Sequence, residues 1–219
     1  MEKHYQKMIQ DTQDRAAKSL QIQVLDKESP RYGGFADENG IVQAKFSIYR
    51  AASMTAVYCN QDSCYYHDEK ILESILLGLS YVRRVQHENG LFDYITCNFY
   101  SAPDTAFCLK KLLPVYQYLR REAEKGGLPQ GEGQILAAVE ESVRAGAYGL
   151  LEGGFHTPNH RWAIASVLMS CSRLFDCKEM ETAAYGYLKE GIDCNEDGEF
   201  AEKSAGNYNR INNDAMMML

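Results

Sequence analysis

Long apolar runs are missing from this sequence. No stretch approaches the ~18–20 residues that a membrane span requires. The opening segment, MEKHYQKMIQDTQDRAAKSL, has neither the apolar core nor the small-residue cleavage site of a secretory signal. Basic charge is also in deficit: 23 Lys and Arg against 30 Asp and Glu leave a net charge of −7. That balance argues against generic binding of nucleic acid or of an anionic membrane, both of which rest on a basic surface. The seven cysteines (Cys59, Cys64, Cys97, Cys108, Cys171, Cys177 and Cys194) are odd in number and contain no C-x-x-C. They suit reduced thiols in a reducing compartment rather than a disulfide framework or a zinc site. A cytoplasmic location is expected, or an exported one if a signal has been removed. Also absent are G-x-x-x-x-G-K-[ST], G-x-G-x-x-G after a strand, G-x-S-x-G and H-E-x-x-H. ATP hydrolysis, dinucleotide redox chemistry and zinc-protease chemistry thereby lose their usual support.

What the chain does have is an ordinary globular balance, 45% apolar and 24% charged over 219 residues, which sets one domain, 1–219, as the expectation. Apolar periodicity predicts helices over Ile71–Val85, Phe107–Leu119, Ile135–Leu151, Trp162–Phe175 and Met180–Ile192. A more polar helix is expected in the first twenty-five residues, a short one over Ala51–Tyr58, and a last one from near Ser204. That gives about eight helices and no convincing sheet; YITCNFY, Tyr94–Tyr100, is the best strand candidate. The loops after the first, third, fifth and seventh helices carry Gly beside an aromatic or an acid: RYGGFADENG, HENGLFDY, EGGFHTPNH and NEDGEF. The loops between are plainer. The spacing of Gly40, Gly90, Gly153 and Gly198 gives a degenerate repeat of roughly 45 to 65 residues. Antiparallel helical hairpins would gather the Gly-bearing loops on one rim, where function tends to sit. The fold expected is all-α, an incomplete (α/α) toroid. The bare apolar ending DAMMML calls for a cover: more chain, a C-terminal second domain, or a second copy in a homo-oligomer.

Three constellations could carry chemistry. In His156-Thr-Pro-Asn159-His160-Arg161-Trp162, Pro158 suits a first helical position, so Asn159, His160 and Arg161 fall in the first turn. Free N–H groups and the helix dipole favour an anion there, and amide, imidazole and guanidinium make a carboxylate clamp. The structural alternative has Asn159 and His160 satisfying loop carbonyls while Trp162 fills the core. His156 and His160 stand four apart, a spacing that can hold a metal, but Pro158 between them and the lack of a third ligand argue against one; no metal is expected. The second constellation, Asp197 to Asp214, packs amides around Tyr208, Asn209 and Arg210, as a sugar-binding rim would. The third, Asp93 to Asp104, offers Asn98 and Tyr100 as a cleft wall, with Asp104 more simply a first-turn partner of Ser101.

With Asn159-His160-Arg161-Trp162 and, about fifty residues on, Glu202-Lys-Ser-Ala-Gly-Asn-Tyr208-Asn209, the chain resembles the heparinase II/III and alginate-lyase group of polysaccharide lyases. The resemblance covers mainly Gly153–Leu219. It implies an (α/α) toroid, an acidic oligosaccharide or polysaccharide as substrate, Asn159 and His160 as neutralisers of a uronate carboxylate, and Tyr208 as the proton-exchanging residue. Arg161, Trp162, Asn209 and Arg210 would be substrate-binding by adjacency. The chemistry is β-elimination: donors aimed at the carboxylate stabilise the enediolate-like transition state as the C5 proton leaves, and a Tyr or His protonates the leaving oxygen at C4. No cofactor is needed. The chain departs from the group in lacking its β-sandwich domain. Two further readings stand beside this one. A glycoside hydrolase would need facing acids, with Asp104 and Asp197 or Glu202 as candidates. A non-catalytic helical-repeat domain would bind a glycan or a protein.

Overall fold

The computed structural model describes residues 2–204 and 206–219. Eight α-helices occur among them: α1 Glu2–Ile22, α2 Ala44–Tyr58, α3 Glu69–Val85, α4 Ala102–Gly126, α5 Gln130–Gly149, α6 Pro158–Phe175, α7 Lys178–Leu188 and α8 Tyr208–Met216. The fold is all-α, as the periodicity predicts, and no described helix is long and apolar enough to cross a membrane. The helices begin earlier than the apolar stripes, and polar caps set the start of two of them. Asp68 caps α3 by accepting from Ile71 N at 3.0 Å, and Ser101 caps α4 by accepting from Asp104 N at 3.2 Å. Ser204, expected to open the last helix, lies before it; its hydroxyl accepts from Asn207 N and α8 starts at Tyr208.

The segment read as one strand is a hairpin. β1 Phe92–Tyr94 pairs antiparallel with β2 Asn98–Ser101, and Ile95–Cys97, inside the expected strand, forms the turn. Consecutive exposed residues Asn98, Phe99 and Tyr100 replace the alternation of a half-buried strand, helped by Tyr100 in the left-handed region at φ 50°.

The helices form two layers. In the inner row α2 packs on α4, α4 on α6 and α6 on α8, while α1, α3 and α5 follow one another outside. Three of the inner helices also pack against an outer neighbour in a hairpin, α2 with α3, α4 with α5 and α6 with α7. Burial follows the layers. In α3 only the Ile71, Ile75, Leu79 and Val82 side is buried, whereas α6 is buried at every position from Arg161 to Ser172. At the C-terminus Met218 and Leu219 fold back against the core. Met217 alone of the Met-rich end is fully in solvent, so the apolar ending is less bare than the sequence suggests.

A repeated device joins the outer helices. The residue just after α1, Gln23, donates its amide to Gly33 O and to Ser74 O of α3, both at 2.9 Å. The residue just after α3, Gln86, donates to Gly90 O at 2.8 Å and to Ser142 O of α5 at 3.0 Å. Three residues beyond each acceptor serine, a loop glycine meets the next outer helix. A Cβ on Gly33 would lie 2.5 Å from Leu77 O, and one on Gly90 would lie 2.0 Å from Ala145 O. Only glycine permits that approach together with a φ of 85° at Gly90. The loops share a turn as well. Asp37, His87 and Asn195 each donate N–H to the carbonyl four residues on and accept from the glycine three residues on. Three of the four Gly-bearing loops therefore share one structural unit.

Candidate functional site

The N-termini of α2, α4 and α6 converge on one rim. Lys45 is the second residue of α2, Asp104 the third of α4 and His160 the third of α6. Lys45 Nζ stands 3.2 Å from Asp104 Oδ1, and it lies over two aromatic faces, 4.8 Å from the Tyr94 ring centre and 5.3 Å from that of Phe107. Asp104 is buried. Its other oxygen accepts from Ser101 Oγ at 2.7 Å and from Asn98 Nδ2 at 3.4 Å. Its position in the first turn beside the Ser101 cap is the one expected for it.

His160 closes the cluster. Its ring is half-buried, with the edges of Phe107 and Phe155 at 6.0 and 6.2 Å between centres. Burial lowers its pKa below the usual imidazole value; the negative charges of Asp104 and Glu202 oppose that, and Lys45 adds to it. The neutral ring is therefore the form present at pH 7. Nδ1 lies 2.9 Å from Thr157 Oγ1. When Nδ1–H donates to that hydroxyl, Nε2 carries the free lone pair.

The anion expected at the start of α6 is present, and the chain supplies it itself. Thr157 makes no side-chain cap. Instead Glu202 accepts from Asn159 N at 2.7 Å and from Asn159 Nδ2 at 2.6 Å. Asn159 is buried and its amide is committed to that carboxylate. Arg161 is corrected more strongly. Its side chain is 4% exposed and bonds Glu190, Asp193 and the Gly191 and His156 carbonyls, so it braces the loop after α7 instead of facing a cleft. Trp162 is fully buried with its ring 5.3 Å from Phe200, and it cannot contact a substrate. Trp162 thus fills the core, the alternative weighed for it from the sequence, while Asn159 bonds a carboxylate in place of loop carbonyls.

Tyr208, at the first turn of α8, is exposed and makes no hydrogen bond to Asn159 or His160 among the described residues. Asn209 lines a separate pocket of about 430 Å³ with Asp197, Phe200 and Lys203, and Arg210 is exposed. Asn98 joins the rim through Asp104. Tyr100 stacks on His87 at 3.8 Å; His87 Nε2 is 2.8 Å from Asp93 Oδ1, which also accepts from Tyr100 N at 2.7 Å. His156 pairs with Glu190 at 2.6 Å, away from His160. Among the described residues no three His, Cys, Asp or Glu side chains gather as a metal site.

Lys45 is the functional candidate that sequence reasoning missed. It sits in QAKFSIYR, between a Gly-bearing loop and an apolar stripe; a lone cation in a first helical turn, against the dipole, was the available signal. Phe107 entered the sequence reading only as the start of a helix, and its position beside Lys45 and His160 marks it out. Compared with protein-family models, curated proteins and solved structures, the chain finds no match.

Proposed function

We propose that this chain is a carbohydrate-active helical domain of the (α/α) toroid kind, acting on uronate-containing oligosaccharides or polysaccharides by β-elimination. The observation that carries the reading is the rim cluster, in which a half-buried histidine that is neutral at pH 7 stands near a lysine held over two aromatic rings. Removing the C5 proton of a uronate needs a base and a cation beside the carboxylate that accumulates charge. His160 Nε2 serves as the base, and Lys45 serves the carboxylate. Aromatic faces at Tyr94, Phe107 and Phe155 suit the apolar side of a sugar ring. The C5–H electrons form the C4–C5 double bond, the C4–O bond breaks, and the leaving oxygen takes a proton. Tyr208 or the imidazolium formed at His160 supplies it. Asn159 enters only if the substrate carboxylate displaces Glu202.

Glycoside hydrolysis is the second reading, favoured by one observation: the carboxylates of Asp104 and Glu202 both act on His160. Against it, both accept hydrogen bonds from Lys45, Ser101, Asn98 and Asn159 and neither is poised to donate. A UV assay against a panel of uronate oligosaccharides tests the choice. Elimination produces an absorbing double bond conjugated to the carboxylate; that signal, lost in His160→Ala and in Lys45→Ala, supports the proposal. New reducing ends without absorbance, lost in Asp104→Asn, move the case to hydrolysis.

A further inference from the structure

A concavity lies away from the rim, where the start of α1 meets the C-terminal end of α2 and the middle of α4. It has a volume of about 600 Å³, within the range of small-molecule pockets. Its walls include Tyr5, Tyr118, Pro114, Thr55 and Cys59. Pro114 interrupts the hydrogen bonding of α4 here, and with Tyr118 one turn on it forms an exposed strip on that helix.

The charge of this pocket has one sign. Among the described residues Asp62 is the only ionisable acid or base of formal charge in the lining. Its carboxylate accepts from the Tyr5 hydroxyl at 2.9 Å, and among the described residues it forms no ion pair. The adjoining hollow, which shares Cys59, Gln61 and Tyr118, adds Glu122, Glu132 and Lys125, with Lys125 Nζ 2.8 Å from Glu122 and His67 Nε2 2.8 Å from Glu132. The groups in the wall register that field: burial first, and then the charge of Glu132, push the Cys59 thiol up to about 12. Burial, then Cys59, Glu122 and Glu132, raise Tyr118. Cys59 is thus held as a thiol and provides no nucleophile, so the pocket is built to bind and not to react.

Aromatic faces, an apolar floor and an uncompensated carboxylate together select a cation with an apolar body. We infer that this pocket binds a small organic ammonium ion, its charge shared between Asp62 and the faces of Tyr5 and Tyr118. The site is independent of the rim and of the elimination reading.

Choline and its uncharged carbon isostere, dimethylbutanol, test it on the intact chain, with binding followed by NMR shifts of the backbone amides. Choline is expected to saturate with shifts centred on Asp62 and Tyr118, and the isostere to bind roughly tenfold more weakly or worse. Asp62→Asn lowers choline affinity several-fold and leaves the isostere unchanged. Tyr118→Leu, which keeps bulk and removes the π face, does the same; thermal melts of both variants verify folding. Failure of choline to bind overturns the proposal. So does equal affinity for the two compounds, which would reduce the site to an apolar cavity, and so does choline binding that neither substitution affects.

Discussion

The loop after α3 and the loop after α5 leave equivalent places in the helical pattern and meet different ends. After α3, Gln86 clasps its own loop to α5, Gly90 lies on the α5 backbone, and the turn from His87 closes on Leu91. After α5 there is no such glutamine. The nearest approach of Gly153 to α7 is to the Tyr187 hydroxyl, with 3.0 Å left for a Cβ. The backbone continues through Gly154 and Phe155 to Asn159, whose partner is Glu202, over forty residues away, and to His160, whose Nδ1 lies beside Thr157 Oγ1. The first loop is fixed to the scaffold by its own helix. The second is fixed by side chains of later loops, which leaves a half-buried imidazole at its end. A repeat that is fully clasped holds shape, and one in which the clasp is lost can carry chemistry.

The sharpest break of that comparison is functional. His160→Ala is expected to lower the elimination rate by about 10²- to 10⁴-fold with little change in melting temperature, while changes in the α3 loop leave the rate constant per folded molecule intact. Kinetics and melts on the same preparations check both halves. Next in size is Gly90→Ala. A Cβ there collides with Ala145 O in a left-handed backbone, and a loss of about 3 kcal/mol is expected by denaturant unfolding. Gly154→Ala has open space and bears only the cost of its φ of 95°, so it should lose clearly less.

Gln86→Ala removes two buried bonds and should cost about 2 kcal/mol, seen as a fall of roughly 4–8 °C in melting temperature. In the first clasp Ser74 Oγ bonds Gln23 Oε1 at 2.5 Å, whereas the matching atoms of the second, Ser142 Oγ and Gln86 Oε1, have no partner. Ser142→Ala should therefore be almost neutral, and Ser74→Ala should not.

Smaller effects come from buried charge. Lys110 is nearly covered by α8, with its ammonium 3.4 Å from Ile211 O, and burial lowers its pKa to about 8, opposed by Asp214. The unfolded chain binds the extra proton between about 8 and the ordinary lysine value near 10.4, so stability rises with pH through that window. Lys110→Met should add about 1 kcal/mol at pH 7 and less above pH 10. His160 follows the same sign lower down. Its folded pKa lies below that of the unfolded chain, so stability is present above pH ~6.5 and is lost on acidification through the folded value. His160→Gln should flatten that acid limb in urea titrations at stepped pH, and the β-elimination rate of the native chain should fall over the same range.

Much of this molecule was legible without coordinates. The apolar stripe Ile71–Val85 is almost the whole of α3, and the four Gly-bearing loops were visible as a set because glycine at positive φ is hard to replace. Pro158 marked the start of α6 for the same local reason. What misled was the inference from a first-turn position to an open site. Asn159, Arg161 and Trp162 belong to one turn of α6, yet a helix turns 100° per residue, so neighbours in sequence face a loop carboxylate, a salt-bridged brace and the core in succession. No local pattern distinguishes those three environments.

The sequence by itself determined the helices, their alternation with Gly-bearing loops and the gathering of polar residues at the ends of the inner row, since periodicity, capping and backbone sterics are properties of a few consecutive residues. Only the tertiary structure decided which polar groups remain available. Lys45, Asp104 and His160 come from three helices more than fifty residues apart, and Glu202 takes the helix end that sequence reasoning reserved for a ligand. Burial and charge pairing depend on what the rest of the chain brings within a few ångströms, and that is fixed by packing of distant segments.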